Sequence, residues 1–450
     1  MQGLELKNKI NIKNMNPFPI KKEIVEEYAK SIGINRFGYA TIRQIVMIAN
    51  KLEQYCGTKF IRTEMGVPGL PASQIGVNAG IEALKNGVAS IYPPIEGIRP
   101  LKEELSRFAK LFLNIDISPE GCVPTAGSMQ ASISMFMTVN RCNTGKDTIL
   151  FIDPGFPVHK RQVAVLGMKY ESFDIYDFRG DKLRAKLESY LEKGNISAFL
   201  YSTPNNPSWI CFTEKELKII GELANKYDVI VLEDLAYFGM DFRQDFGKPG
   251  QPPYQSTAAN YTDNYVLLFS GSKIFSYAGQ RIGAVLISDK ICNRKYPDLG
   301  KVFSTDIFGQ AILKEVIYTL SSGTAHSAQY ALAAMLKAVN DGTLDFLSVV
   351  REYGDRAKAM KAAFVNNGFK IVYDKDENKE LADGFYFTVS YPGMTGEETL
   401  AELLRFGISA LTLDTTGSSR TEGLRICVSQ TPESRMGELN ERLRAFRENI

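Results

Sequence analysis

Histidine is almost missing from this chain: His159 and His326 are the only two in 450 residues. A histidine-based catalytic triad or a multi-histidine metal site is thereby all but excluded. Any proton chemistry falls to lysine, tyrosine, a carboxylate or a bound cofactor. Cysteine is sparse as well, and the six residues Cys56, Cys122, Cys142, Cys211, Cys292 and Cys427 include no C-x-x-C pair. Such scatter suits neither a zinc cage nor a disulfide framework, so no metal is expected and six buried thiols in a reducing compartment are. No run approaches the roughly 18 apolar residues that cross a bilayer. Residues 1–14 are polar and lysine-bearing, without the apolar stretch of a secretory signal. The formal net charge of +2 gives no electrostatic reason to expect nucleic acid or an anionic membrane as partner. A cytoplasmic location is the expectation.

What is present is ordinary for a folded protein: 44% hydrophobic and 23% charged residues. At about 150 residues per domain the length suggests two or three domains. Residues 21–31 and 41–55 carry apolar positions at helical spacing, and the Gly- and Pro-rich stretch 66–71 then breaks the pattern as a loop. Onward to about 288, helical segments alternate with short apolar runs at 148–152, 198–201, 229–232, 265–269 and 282–287. Runs of that kind, bounded by turns, suit strands buried on both faces of a helix-covered sheet. Thr213 followed by Glu216 is a capping box opening a helix over 214–227, and 98–113 has amphipathic helical periodicity. Beyond 323 the texture changes to long helices (325–340, 345–367), strand-like runs (369–373, 385–389, 423–428) and a terminal helix after Thr431-Pro432. The expectation is a large α/β unit over 66–322 and a smaller α+β unit formed by 1–65 with 323–450.

The chemistry concentrates in Leu268-Phe-Ser-Gly-Ser-Lys-Ile-Phe-Ser-Tyr-Ala-Gly-Gln-Arg-Ile-Gly283. A strand delivers Ser270, Ser272 and Lys273 at its end, and Arg281 follows eight residues after the lysine. A strand-end lysine is usually a solvated surface residue. Here it lies among hydroxyls with a guanidinium behind it, which is an anion-binding group. A lysine beside a bound phosphate is placed to form an imine with an aldehyde on the same molecule. Ser270-x-Ser272-Lys273 followed by Gly279-x-Arg281-x-Gly283 resembles the lysine signature of class I/II aminotransferases, the fold-type-I enzymes that use pyridoxal 5'-phosphate (PLP). The resemblance implies a large three-layer domain around a mostly parallel sheet, a smaller α+β domain, and PLP held as a Schiff base on Lys273. It also gives that lysine the proton shift of catalysis.

Further segments fall in the family's order across roughly residues 60–430. Thr125-Ala-Gly-Ser-Met-Gln130 opens an apolar helix, where free N–H groups and a hydroxyl suit a phosphate; it looks like the family's phosphate cup and implicates Gly127, Ser128 and Met129. Phe156, in Asp153-Pro-Gly-Phe-Pro157, matches an aromatic that stacks on the pyridine ring. Tyr201-Ser-Thr-Pro-Asn-Asn-Pro-Ser208 is similar to the family's Asn-Pro run and presents Asn206 beside the cofactor's phenolic oxygen and the substrate. It departs from the pattern at Ser208-Trp209, which places the chain's one tryptophan near the expected rim of the site. Asp234 and Tyr237 match the family's Asp-x-x-Tyr, the carboxylate keeping the pyridine nitrogen protonated and the phenol donating to the phenolic oxygen. Glu233 would face the other way along its strand. Arg425, inside an apolar strand, matches the arginine that grips the substrate carboxylate through paired hydrogen bonds. Tyr92 matches a tyrosine that family dimers lend to the neighbouring subunit's phosphate, which implies a homodimer with shared sites. His326 is read as a helix cap, and 295–323 carries no functional reading.

These residues imply an aminotransferase that moves an amino group from an amino acid to a 2-oxo acid, with 2-oxoglutarate as an acceptor to consider. Lys273, Asp234 and Tyr237 are its catalytic candidates. A PLP-dependent lyase or decarboxylase on the same scaffold is the alternative, because the cofactor supplies the carbanion and small contacts steer which bond breaks. A PLP-binding regulator fused to a DNA-binding module is a distant third, since the first 65 residues lack a basic recognition helix.

Overall fold

The computed structural model describes residues 17–450; the polar start at 1–14 lies outside them. Seven strands form the central sheet: β1 Cys122–Thr125, β2 Thr148–Asp153, β3 Lys169–Asp174, β4 Ile196–Ser202, β5 Ile230–Asp234, β6 Tyr265–Ser270 and β7 Gly283–Ile287. Their order is β1-β7-β6-β5-β4-β2-β3, and all pair in parallel except β7, which runs antiparallel to both neighbours. Alternation along each strand splits the apolar residues between two cores. Phe199, Tyr201, Val231, Leu267 and Phe269 join one, while Ala198, Leu200, Ile230, Leu232, Val266 and Leu268 join the other. Covering both faces is what makes these strands read as unbroken apolar runs. The two strands that sequence misses sit at the sheet's two edges. β3, with the polar sequence KYESFD, keeps four of its six residues partly or fully exposed, and β1 is only four residues long.

The helix Ser128–Val139 covers one face together with Phe308–Gln310 and the wide-wound turn Ala311–Ile317, so the stretch 295–323 supplies part of that outer layer. Thr213 and Glu216 form the expected capping box of helix Glu214–Tyr227. The periodicity over 98–113 resolves into an α-helix, Arg99–Phe108, that widens into a π turn, Ala109–Leu113.

A four-stranded antiparallel sheet carries the C-terminal part, in the order Leu411–Thr412, Leu424–Cys427, Tyr386–Ser390, Lys370–Ile371. Ile61–Arg62 pairs in parallel with Ile408–Ser409 as a separate two-stranded sheet, and helix Lys22–Ser31 packs on Ile42–Cys56 and on Gly396–Arg405. Helix His326–Asn340 packs on Gln74–Lys85 and Arg99–Phe108, and Gln329 accepts a hydrogen bond from the Ile98 N–H at 2.9 Å.

Several expectations are corrected. The helix over 345–367 is broken at Arg351 into Phe346–Val350 and Glu352–Asn366. The terminal helix begins at Met436, because Pro432 opens a 3₁₀ turn, Glu433–Arg435, instead. His326 is the first helical residue rather than the cap, which is Ala325, and its Nδ1 lies 3.2 Å from the Ile91 carbonyl. All six cysteines are free, but only Cys122, Cys142 and Cys427 are fully buried. No helix among the described residues is long and apolar enough to cross a membrane.

Candidate active site

Parallel strands end together, so their C-terminal edge gathers residues that are distant in sequence. Thr125, Asp153, Ser202, Asp234 and Ser270 close β1, β2, β4, β5 and β6. Antiparallel β7 starts at the same edge, with Gly283 opposite both Ser270 and Thr125. That register brings the lysine turn, Arg281 and the turn before helix Ser128–Val139 side by side. Gly127 sits at φ 73°, and a Cβ there would fall 2.6 Å from Arg281 Nη2. Only glycine lets the guanidinium close over the turn. Ser128 and Met129 occupy the first two helical positions, where N–H groups have no partner inside the helix. Those N–H groups and Arg281 are donors of the kind that suits an anion. Ser270 Oγ accepts from the Ser272 N–H at 3.2 Å and caps a short helix, Gly271–Ile274. Lys273 therefore sits on that helix and not on the strand, whose last residue is Ser270.

The Lys273 amine donates to the Gly66 carbonyl and lies 5.5 Å over the Phe385 ring. Burial pulls its pKa down to about 8, and the charges of Arg281 and Arg425 push the same way. An amine that is partly neutral near pH 7 is a nucleophile and a proton carrier.

Asp234 is buried, and its Oδ1 accepts from the Ala236 N–H at 3.0 Å. Burial raises this carboxyl to about 6. Its Oδ2 lies 3.9 Å from His159 Nε2, but burial lowers His159 to about 4 and leaves that ring neutral. The aspartate has no cationic partner among the described residues, which fits a protonated ring nitrogen as its counterpart. Phe156 is half-buried and meets His159 edge-on at 5.4 Å. Glu233 points to the opposite face as expected, accepting from Tyr201 Oη at 3.0 Å and Thr257 Oγ1 at 2.6 Å.

Arg425 reaches the same edge from the smaller sheet. It is 1% exposed, donates to Asn206 Oδ1 at 3.2 Å and to the Glu64 carbonyl, and leaves Nε without a partner. Its guanidinium stacks 4.7 Å over Tyr386, whose hydroxyl is 2.8 Å from Tyr237 Oη. Asn205 locks the Asn-Pro loop by donating to the Pro154 carbonyl at 2.8 Å and accepting from Ser208 Oγ at 2.7 Å. Trp209 lies beneath the site and not at its rim: it is 1% exposed, edge-on to Tyr237 at 5.4 Å, and fills the space where Gly384 lacks a side chain.

The fold thus draws together the segments carrying Gly127, Ser128, Met129, Phe156, Asn206, Asp234, Tyr237, Ser270, Lys273, Arg281 and Arg425. Tyr92 stands apart, 88% exposed beside a surface groove lined by Leu84, Pro93 and His326. His159, Tyr386 and Asn205 escape the sequence reading. His159 alone had a signal, being one helical step (i, i+3) from Phe156.

Residues 69–443 match the family described as Aminotransferase class I and II. The chain is 24% identical over 316 residues to a probable aspartate aminotransferase of Methanocaldococcus jannaschii, covering 70% of this chain and 74% of that protein. It is 26% identical over 374 residues to the (5-formylfuran-3-yl)methyl phosphate transaminase of the same organism, covering 82% and 86%. The solved alanine aminotransferase of Pyrococcus furiosus superposes with a TM-score of 0.74 at 20% identity, over 96% of this chain and 100% of that one, a likeness of fold. A match across most of the length, on a fold that assembles a lysine, a buried aspartate and an arginine-flanked helix start at one sheet edge, places this chain in the class I and II aminotransferases, PLP-dependent enzymes of fold type I.

Proposed function

We propose that this chain binds PLP covalently through Lys273 and moves an amino group from an amino acid to a 2-oxo acid. The observation that carries the reading is Asp234, a carboxylate buried without a cation at the same edge as a lysine of lowered pKa. Gly127, Ser128, Met129, Ser270 and Arg281 would hold the phosphate. Phe156 would lie against the ring, and Asn206 and Tyr237 would face the phenolic oxygen. When bound, the cofactor supplies an aldehyde for the amino group and a ring that spreads the charge left on the substrate's α-carbon.

The chain's own residues do the rest. Arg425 grips the substrate carboxylate with paired N–H donors and fixes which α-carbon bond faces the lysine. Lys273 Nζ, once free, would take up and hand on the proton of that carbon. Asp234 keeps the ring nitrogen's proton in place through opposite charge. Asn206 holds Arg425 in line. We propose 2-oxoglutarate as the acceptor to test first, since Arg425 asks only for the 1-carboxylate that every 2-oxo acid carries. Tyr92, with the exposed apolar side chains Leu84 and Ile91 lining the same groove, supports a homodimer in which this face meets a second copy. We also propose the division into 66–322 and 1–65 with 323–450, and a cytoplasmic location.

The test is a half-reaction panel of the twenty amino acids, without oxo acid, followed by the cofactor's absorbance and by assay of pyridoxamine phosphate. Stoichiometric pyridoxamine phosphate supports transfer. Ammonia, carbon dioxide or a cleaved side chain would point to lyase or decarboxylase chemistry instead.

A further inference from the structure

The ring of Tyr386 connects two parts of the site that have separate tasks. Its hydroxyl is 2.8 Å from Tyr237 Oη, and the Arg425 guanidinium lies 4.7 Å over its face. The strand Tyr386–Ser390 sets this geometry by pairing Tyr386 with Cys427 and Thr388 with Arg425. Tyr386 is 1% exposed, and a Cβ on Gly66 would fall 1.9 Å from its oxygen, so backbone walls that side. Trp209 meets both phenols edge-on, at 5.4 and 6.2 Å.

Two hydroxyls in contact share one proton between them, and the other proton must point elsewhere. Around Tyr386 the neighbours are the Gly66 backbone carbon, an indole edge and a guanidinium that only donates. Among the described residues Tyr237 is its one hydrogen-bond partner. A buried phenol O–H seeks an acceptor; among the described residues Tyr237 Oη is the one within reach of Tyr386, and either hydroxyl can be the donor. A cation over the ring also favours electron withdrawal from the phenol, which strengthens it as a donor.

We propose that Tyr386 is a positioning residue: it donates to Tyr237 and thereby directs the Tyr237 O–H at the phenolic oxygen of bound PLP. The inference rests on the proposed function, in which Tyr237 faces that oxygen. Hydrogen bonds in series polarise one another, so Tyr237 becomes a stronger donor than a lone phenol and favours the ionised phenolic oxygen. The pH at which the bound cofactor's absorbance changes is then held low by a residue that does not touch the cofactor.

The experiment is a pH titration of the holoenzyme's absorbance in wild type, Y386F, Y237F and Y237F/Y386F. Y386F removes one oxygen, and the emission of Trp209, the chain's only tryptophan, reports whether the packing around both phenols survives. Loss of one neutral hydrogen bond should raise the midpoint by about half a pH unit, roughly threefold in the equilibrium. Y237F should raise it at least as far, and the double variant should match Y237F alone, because Tyr386 acts only through Tyr237. A Y386F midpoint equal to wild type, or a double variant showing the full sum of both shifts, would overturn the assignment while leaving the aminotransferase reading intact. Wild-type protein that takes up no PLP would overturn both.

Discussion

Replacing Asp234 with asparagine removes a charge that folding has taken out of water, and the structure says how much that charge costs. Asp234 closes β5 with a single N–H donor, that of Ala236, and burial raises its carboxyl from 3.8 to about 6. A carboxyl whose folded pKa lies above its unfolded value keeps a proton that the unfolded chain has released. Its contribution to stability is fully present below the unfolded pKa and is lost as pH rises through the folded one. Two units of pH correspond to about 3 kcal/mol. His159 runs the other way: burial lowers it from 6.5 to about 4, so its contribution grows over nearly the same window and masks the aspartate in wild type. The difference between D234N and wild type isolates Asp234. In PLP-free protein, D234N should be the more stable form near pH 8 by about 2–3 kcal/mol, with the gap closing toward pH 4. Thermal midpoints across that range measure it. Adding PLP should then raise the wild-type midpoint more than that of D234N, because only the aspartate gains a cation. A PLP-free D234N that melts at or below wild type near pH 8 would refute the idea of a carboxylate held waiting for positive charge.

Borohydride reduction of wild type loaded with PLP should leave the cofactor covalently attached, measured by mass, and K273A should gain nothing. Capture of PLP by cofactor-free protein should accelerate as pH rises through about 8, where the Lys273 amine loses its proton, and not through the ordinary lysine range; stopped-flow absorbance reads this. R425Q should lower kcat/KM for amino acids by roughly 10²–10³, from the loss of charge-assisted bonds of about 1.5–3 kcal/mol each, while simple amines without a carboxylate react as before. G127A puts a Cβ 2.6 Å from Arg281 Nη2 at a φ of 73°. Dialysis should show PLP affinity falling by about tenfold or more for a strain of 1–2 kcal/mol, and unchanged affinity would refute the cup formed by Gly127 and Arg281.

Local signals served best where one element carries both the signal and the role. The capping box at Thr213 and Glu216, the glycine before Ser128 and the opposite faces of Glu233 and Asp234 each depend on spacing within a few residues, and each stands where spacing puts it. Edge strands were harder. β3 exposes much of its length, so its sequence alternates weakly and reads as loop. Trp209 gave no cue to its depth, since its cavity is made by Gly384, 175 positions along the chain. Tyr386 looked like one apolar strand residue among several, and only pairing with the Arg425 strand shows its hydroxyl meeting Tyr237.

By itself, the order of residues determined the buried strands and the helix that opens at a small-residue turn, which follow from short-range periodicity and side-chain type. Lys273, Asp234 and Arg425 were singled out by the resemblance of their segments to the family's motifs. Tertiary structure alone decided that Arg425 meets Asn206 across 219 positions, that Arg281 closes on Gly127, and that Lys273 and Asp234 are buried enough to shift toward each other in pKa. Proximity between distant segments and the dielectric around a charge are properties of the packed whole, and no stretch of sequence carries either one.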